Sequence, residues 1–194
     1  MKSICVYCGS SRGKLPEYAA LARNLGTLLA RRGITLVYGG GNVGLMGVVA
    51  DANLAAGGKV VGVIPRALLE REVSHGNLTE LVVVNDMHER KLTMATRADG
   101  FIALPGGIGT LEELFETLTW LQLGFHGKPI ALLDATGYFS ALLAFLDNMV
   151  AEGFLIAAHR DLLMTATDPE ELLERMSGFV APNPDHWYES VRLT

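Results

Sequence analysis

The chain has 194 residues, 49% of them hydrophobic and 19% charged, with 22 glycines and a net charge of −5. That size fits one domain whose core needs no metal or disulfide, and the composition excludes disordered and fibrous classes. The acidic balance, with lysines and arginines scattered, argues against nucleic acid or a membrane as partner, and no run suits a membrane helix or a secretory leader, so a cytoplasmic protein with a small-molecule partner is expected.

Apolar runs and amphipathic stretches alternate from end to end, which predicts an α/β fold: a doubly wound parallel sheet of about seven strands with helices on both faces. The first strand is Ser3 to Tyr7. It is followed by a helix opened by Pro16 and closed by Gly33, since proline suits the first helical position and glycine the position after the last. Ile34 to Tyr38 is the second strand. A helix from about Val43 runs to Gly57 and Gly58, and Lys59 to Ile64 is the third strand, stopped by Pro65. Residues 66–80 read as a loop with one helical turn. Leu81 to Val84 is a strand, and Met87, Arg90, Lys91, Met94 and Arg97 lie on the next helix.

Phe101 to Leu104 is the fifth strand, and a helix follows from Thr110 to about Gly124. The second half of that helix is apolar nearly all round, so it must be buried on more than one side. That predicts a subunit interface, most simply in a two-fold homodimer. Ile130 to Leu133, a helix from Tyr138 to Glu152, Leu162 to Thr165 and a helix from Asp168 complete a single domain over residues 1–180. Residues 181–194 form an aperiodic tail.

Cys5 and Cys8 have Cys-x-x-Cys spacing. On a strand, positions three apart face opposite sides and lie roughly 10 Å from each other, too far for a disulfide. No second cysteine pair completes a zinc site, so no metal is expected. Gly39, Gly41 and Gly44 match the dinucleotide-binding glycine pattern, but the strand that should end in a ribose-binding acid ends Val63-Ile64-Pro65-Arg66. NAD is therefore not expected, although the turn, Gly40 and Gly41 included, still offers backbone donors to a ligand. No glycine–lysine pair is followed by serine or threonine, which excludes a P-loop. Gly9-Ser10-Ser11-Arg12-Gly13 satisfies the nucleophile-elbow string, yet it follows the first strand and no later histidine stands out as its base. It reads as pocket lining.

The most informative segment is Pro105-Gly106-Gly107-Ile108-Gly109-Thr110-Leu111-Glu112-Glu113. A buried strand, a glycine turn and a helix start make an anion site, because the first helical N–H groups are unpaired and the helix dipole favours negative charge. Glu113 would repel that anion and must aim at another part of the ligand. Thr110-x-x-Glu113 is also a capping box, which explains the spacing equally well. Arg90 reads either as a solvated helix charge or as a site residue. Because its helix feeds the strand carrying the glycine motif, its amino-terminal part is expected at some distance from the carboxyl-end site unless the preceding loop folds inward.

This segment resembles the Pro-Gly-Gly-x-Gly-Thr-x-x-Glu signature of the LOG ("lonely guy") family of cytokinin-activating phosphoribohydrolases, often labelled lysine decarboxylases. Tyr38 to Gly41 with Gly44 to Gly47 is similar to the family's first glycine loop, and Met87-His88-Glu89-Arg90-Lys91 to its Met-His-x-Arg-Lys segment. Ile108, where many members have tyrosine, is a departure. The resemblance implies a Rossmann-like dimer that hydrolyses the N-glycosidic bond of an adenosine 5′-monophosphate, releasing base and ribose 5-phosphate without a cofactor. It implies catalytic roles for Arg90 and Glu113, and ligand contacts for Glu72, Lys91, Gly106, Gly107, Gly109, Thr110, Glu112 and Thr119. Related Rossmann proteins that carry a molybdopterin-type cofactor are the alternative. Decarboxylation would need pyridoxal phosphate on a lysine, and no lysine is marked for it.

Overall fold

Strand β1 (Ser3–Tyr7) sends Ile4 and Val6 into one apolar layer and Cys5 and Tyr7 into the other, so both its faces are buried, as a central parallel strand requires. In the computed structural model, which describes residues 1–69 and 75–182, six further strands join it. They are β2 (Thr35–Tyr38), β3 (Val60–Pro65), β4 (Glu80–Val84), β5 (Phe101–Ala103), β6 (Ile130–Leu133) and β7 (Leu163–Ala166). All pairings are parallel, in the order β4-β3-β2-β1-β5-β6-β7. The expected α/β doubly wound sheet is therefore present.

Helices α1 (Pro16–Arg31), α2 (Gly44–Ala55) and α8 (Pro169–Ser177) pack on one face, through residues such as Leu25, Val49 and Leu172. Helices α4 (Met87–Arg97), α5 (Ile108–Gln122) and α6 (Ser140–Ala151) cover the other through Met94, Leu114 and Leu146. Two one-turn helices, α3 (Arg66–Leu69) and α7 (Ala157–Arg160), complete the described elements. The second of these was not predicted: four residues are too few for periodicity to register. Gly33 follows α1 with φ of 68°, the left-handed value that explains glycine there.

One expectation changes. Pro65 does not stop β3 but is its last residue, opposite Val84 on β4. Proline is tolerated there because the strand ends with it. Cys5 and Cys8 are both free and buried, in opposite apolar layers, as their spacing predicted. The expected tail lies, from residue 183, outside the described residues.

Candidate active site

In an open parallel sheet the ligand crevice lies at the carboxyl edge where the strand order reverses. Here that point is between β1 and β5, because β1 is followed in space by β2 on one side and β5 on the other. The two loops that leave these strands meet there. Gly9 N–H donates to Pro105 O at 3.1 Å, and Leu45 N–H at the start of α2 donates to Gly9 O at 2.9 Å. A cavity of about 300 Å³ opens over the junction, lined by Cys8, Gly9, Ser10, Met46, Met87, Arg90, the first turn of α5, Glu112 and Glu113. A second, of about 280 Å³, lies across Gly9, Ser10 and Gly107 and is bordered by Arg12, Tyr18 and Tyr138.

The start of α5 differs from the expected one. Gly107 is the N-cap and the helix begins at Ile108, so Thr110 is already in the first turn and Glu113 in the second. No side chain caps the helix, and the capping-box explanation of Glu113 falls away. The reason is that the glycine turn lets the chain enter the helix two residues earlier than the threonine would. Leu111 N–H makes the first intrahelical bond, to Gly107 O at 3.2 Å. The N–H groups of Ile108, Gly109 and Thr110 therefore precede the ladder, and together with the positive end of the helix dipole they suit an anion.

Glu113 projects from α5 into the same cavity, where burial pushes its carboxyl up to about 7 against the pull of the Arg90 guanidinium. A carboxyl with that value exchanges its proton near neutral pH, as an acid–base group must. Arg90 is only 8% exposed. One of its terminal nitrogens donates to Gly39 O at 3.2 Å, while its Nε is buried without a partner among the described residues. A methyl group on Gly39 would stand 2.0 Å from that guanidinium, so the glycine after β2 leaves room for the arginine. Burial pushes the Cys8 thiol well up, which makes it a poor nucleophile although it lines the cavity.

The expectation that Arg90 stands away from the site is corrected. A helix that follows a parallel strand starts at the carboxyl edge and runs back, so its carboxyl end feeds β5 and its first turn, with Arg90, lies at the crevice.

Of the other predicted residues, Gly107, Gly109, Thr110 and Glu112 line the cavity with Arg90 and Glu113. Gly106 lines the neighbouring one and accepts a bond from Tyr138 Oη at 2.6 Å. Lys91 stands behind, its Nζ 2.5 Å from Glu112 and 3.0 Å from Glu116. Burial lowers its basicity, but the two carboxylates outweigh that and the net shift is upward. Gly40, against Val63 and Ile64 of β3, and Gly41 are both buried, with Gly40 O accepting from His75 N–H at 3.3 Å, and neither lines the cavity. Thr119 is on the exposed side of α5, its hydroxyl bonded to Phe115 O at 2.7 Å, about 9 Å along the helix from Glu113. Glu72 lies outside the described residues. Met87 and Met46 lie within the quoted motifs but were not singled out as site residues, and Tyr138 was not anticipated, since no local pattern ties it to the site.

A helix start with unpaired N–H groups at the switch point of a parallel sheet, with a half-buried acid and a buried arginine beside it, is the arrangement of a nucleotide-binding α/β protein. Residues 46–176 match the family model described as "possible lysine decarboxylase". The chain is 48% identical to cytokinin riboside 5'-monophosphate phosphoribohydrolase LOG1 of Arabidopsis thaliana over 92% of its length and 84% of the relative's. It is 50% identical to LOG7 of the same plant, over 92% and 82%, and 48% identical to a probable phosphoribohydrolase of that name, LOGL2, from Oryza sativa subsp. japonica, over 95% and 75%. The chain belongs to the LOG family. Solved structures share the fold: the molybdenum cofactor binding protein of Rippkaea orientalis aligns with TM-score 0.69 at 24% identity, covering 91% of this chain and 96% of that one. The molybdenum cofactor carrier protein of Chlamydomonas reinhardtii aligns with TM-score 0.67 at 20%, covering 90% and 95%.

The decarboxylase description implies pyridoxal phosphate, and the residues do not fit it. No lysine lines either cavity at the crevice, and Lys91 nearby is held protonated by two carboxylates, the wrong state for forming a Schiff base.

Proposed function

We propose that the crevice hydrolyses the N-glycosidic bond of adenosine 5′-monophosphates, cytokinin riboside 5′-monophosphates and AMP included, to free base and ribose 5-phosphate. The observation that carries the reading is the placement of Glu113 one helical turn above the unpaired N–H groups of α5. The 5′-phosphate docks on Ile108, Gly109 and Thr110, and the ribose then lies within reach of the carboxylate. As the C1′–N9 bond breaks, positive charge builds on the sugar and Glu113 stabilises it. Water adds its oxygen to C1′ and passes a proton to Glu113, while the bonding pair leaves with the base; that proton then returns through solvent to N9 of the base, which restores the Glu113 carboxylate. With the phosphate held by α5, Arg90 is left to offset the negative charge on the departing base and to keep Glu113 ionised. The names of the relatives point to the same reaction.

The test is incubation with AMP and with isopentenyladenosine monophosphate, followed by chromatography. Base and ribose 5-phosphate in equal amounts are expected; nucleotide bound but uncleaved would instead mark a carrier.

The enzyme acts as a two-fold homodimer joined through the α4 and α5 face. Leu92 is 60% and Phe125 74% exposed, and they border an apolar groove with Ala95 and Trp120. Such a patch on a single chain is the mark of an interface. Light scattering should give twice the chain's 20.9 kDa, and Leu92→Glu with Phe125→Glu should halve the mass; an unchanged mass in the double variant places the interface elsewhere. No helix among the described residues is long and apolar enough to cross a membrane, and a cytoplasmic setting suits the two free thiols.

A further inference from the structure

Three successive carbonyls of the turn after β5 accept a protein donor each. Pro105 O takes the Gly9 N–H, Gly107 O takes the Leu111 N–H, and between them Gly106 O takes the hydroxyl of Tyr138 at 2.6 Å. The first two donors are backbone groups fixed by β1 and α5. The third is a side chain from 32 residues away, and its position has its own support.

Tyr138 stands on the loop after β6, which is built around the buried carboxylate of Asp134. That carboxylate accepts the N–H groups of Thr136 at 3.1 Å, Tyr138 at 2.9 Å and Phe139 at 2.7 Å. The Tyr138 ring packs edge-on against Tyr18 and Phe139, with centroids 5.7 and 5.0 Å apart. Its hydroxyl therefore reaches Gly106 from the side of the smaller cavity.

The peptide joining Gly106 and Gly107 is trans and planar, so its C=O and its N–H point in opposite directions. Pulling the carbonyl towards Tyr138 turns the Gly107 N–H away from it, and Gly107 borders both cavities. Among the described residues no hydrogen bond occupies that N–H. Glycine on both sides of the peptide would otherwise leave it free to flip, and a flipped carbonyl would present negative charge to the bound anion.

We infer that Tyr138 is a positioning residue for substrate: its hydroxyl locks the Gly106–Gly107 peptide so that the Gly107 N–H joins the α5 donors on the 5′-phosphate. The inference rests on the reading of the α5 start as the phosphate site. It assigns Tyr138 no contact with the reacting atoms, so the lock acts on binding of the phosphate and not on the bond that breaks.

Tyr138→Phe keeps the ring contacts and removes only the hydroxyl. The expected result is a rise of about 5- to 10-fold in KM for AMP and a matching rise in the Kd of inorganic phosphate, with kcat within about twofold and an unchanged melting temperature. Titration with inorganic phosphate needs no turnover, so it tests the lock even if base release fails in the unmodified protein. Unchanged KM and phosphate affinity would overturn the inference, as would a fall in kcat with KM unchanged. If the unmodified protein itself bound no phosphate, the error would lie in the phosphate assignment of α5.

Discussion

Glu113→Gln should reduce kcat by about a thousandfold while the protein folds as before. Glutamine matches the shape of the side chain but carries no charge to set against the sugar cation and takes no proton from water. Because the helix is capped by Gly107, the substitution removes no end-of-helix bond. Stability should even rise at alkaline pH. A carboxyl whose folded pKa is raised favours the folded state below its ordinary value, and that contribution is lost as pH climbs through about 7. The unmodified protein therefore pays for an ionised, partly desolvated Glu113 at pH 8, and the amide does not. For activity the sign is opposite: the ionised form works, so kcat/KM should climb with pH through about 7 in the unmodified protein. Pre-steady-state rates and thermal melts at pH 6 and pH 8 check both. A variant with normal turnover would make Glu113 a bystander.

Gly44→Ala should lower Tm by about 6–12 °C, from a loss of about 3 kcal/mol. Gly44 has φ of 64°, which strains any residue with a Cβ, and that Cβ would lie 2.2 Å from the Ser10 carbonyl carbon and 2.4 Å from Ser11 N. These are backbone atoms of the loop after β1, so the clash cannot be relieved by turning a side chain. The loop must move, and with it Gly9 and Ser10, which line both cavities. Activity should fall together with stability. Calorimetry decides: a melt superimposable on that of the unmodified protein would mean the loop has slack that its contacts do not show.

The strands were legible in the sequence because a sheet buried on both faces writes itself as apolar runs, such as Ile130 to Leu133, where prediction and structure coincide. The site was legible in part. The glycine turn and Glu113 were apparent, but the helix start was misplaced, because threonine signals a cap more loudly than the glycine that supplies it. Arg90 was misjudged for a different reason. Its position follows from the parallel order alone, since every helix after a parallel strand begins at the carboxyl edge. Tyr138 had no signal to read: its bond to Gly106 spans 32 residues and depends on how β6 places its loop, which no local period encodes. Thr119 was carried over by resemblance alone. The motif position matches, yet the side chain lies outside the crevice of its own chain, on the α5 side that also faces α6.

The central claim is that the acid above the α5 start cleaves a nucleotide held by its phosphate. The most direct measurement is product analysis with AMP and isopentenyladenosine monophosphate, run beside Glu113→Gln. One free base and one ribose 5-phosphate are expected for each nucleotide consumed, and intact nucleotide in the variant. Full recovery of both nucleotides from the unmodified protein, with binding retained, would contradict it.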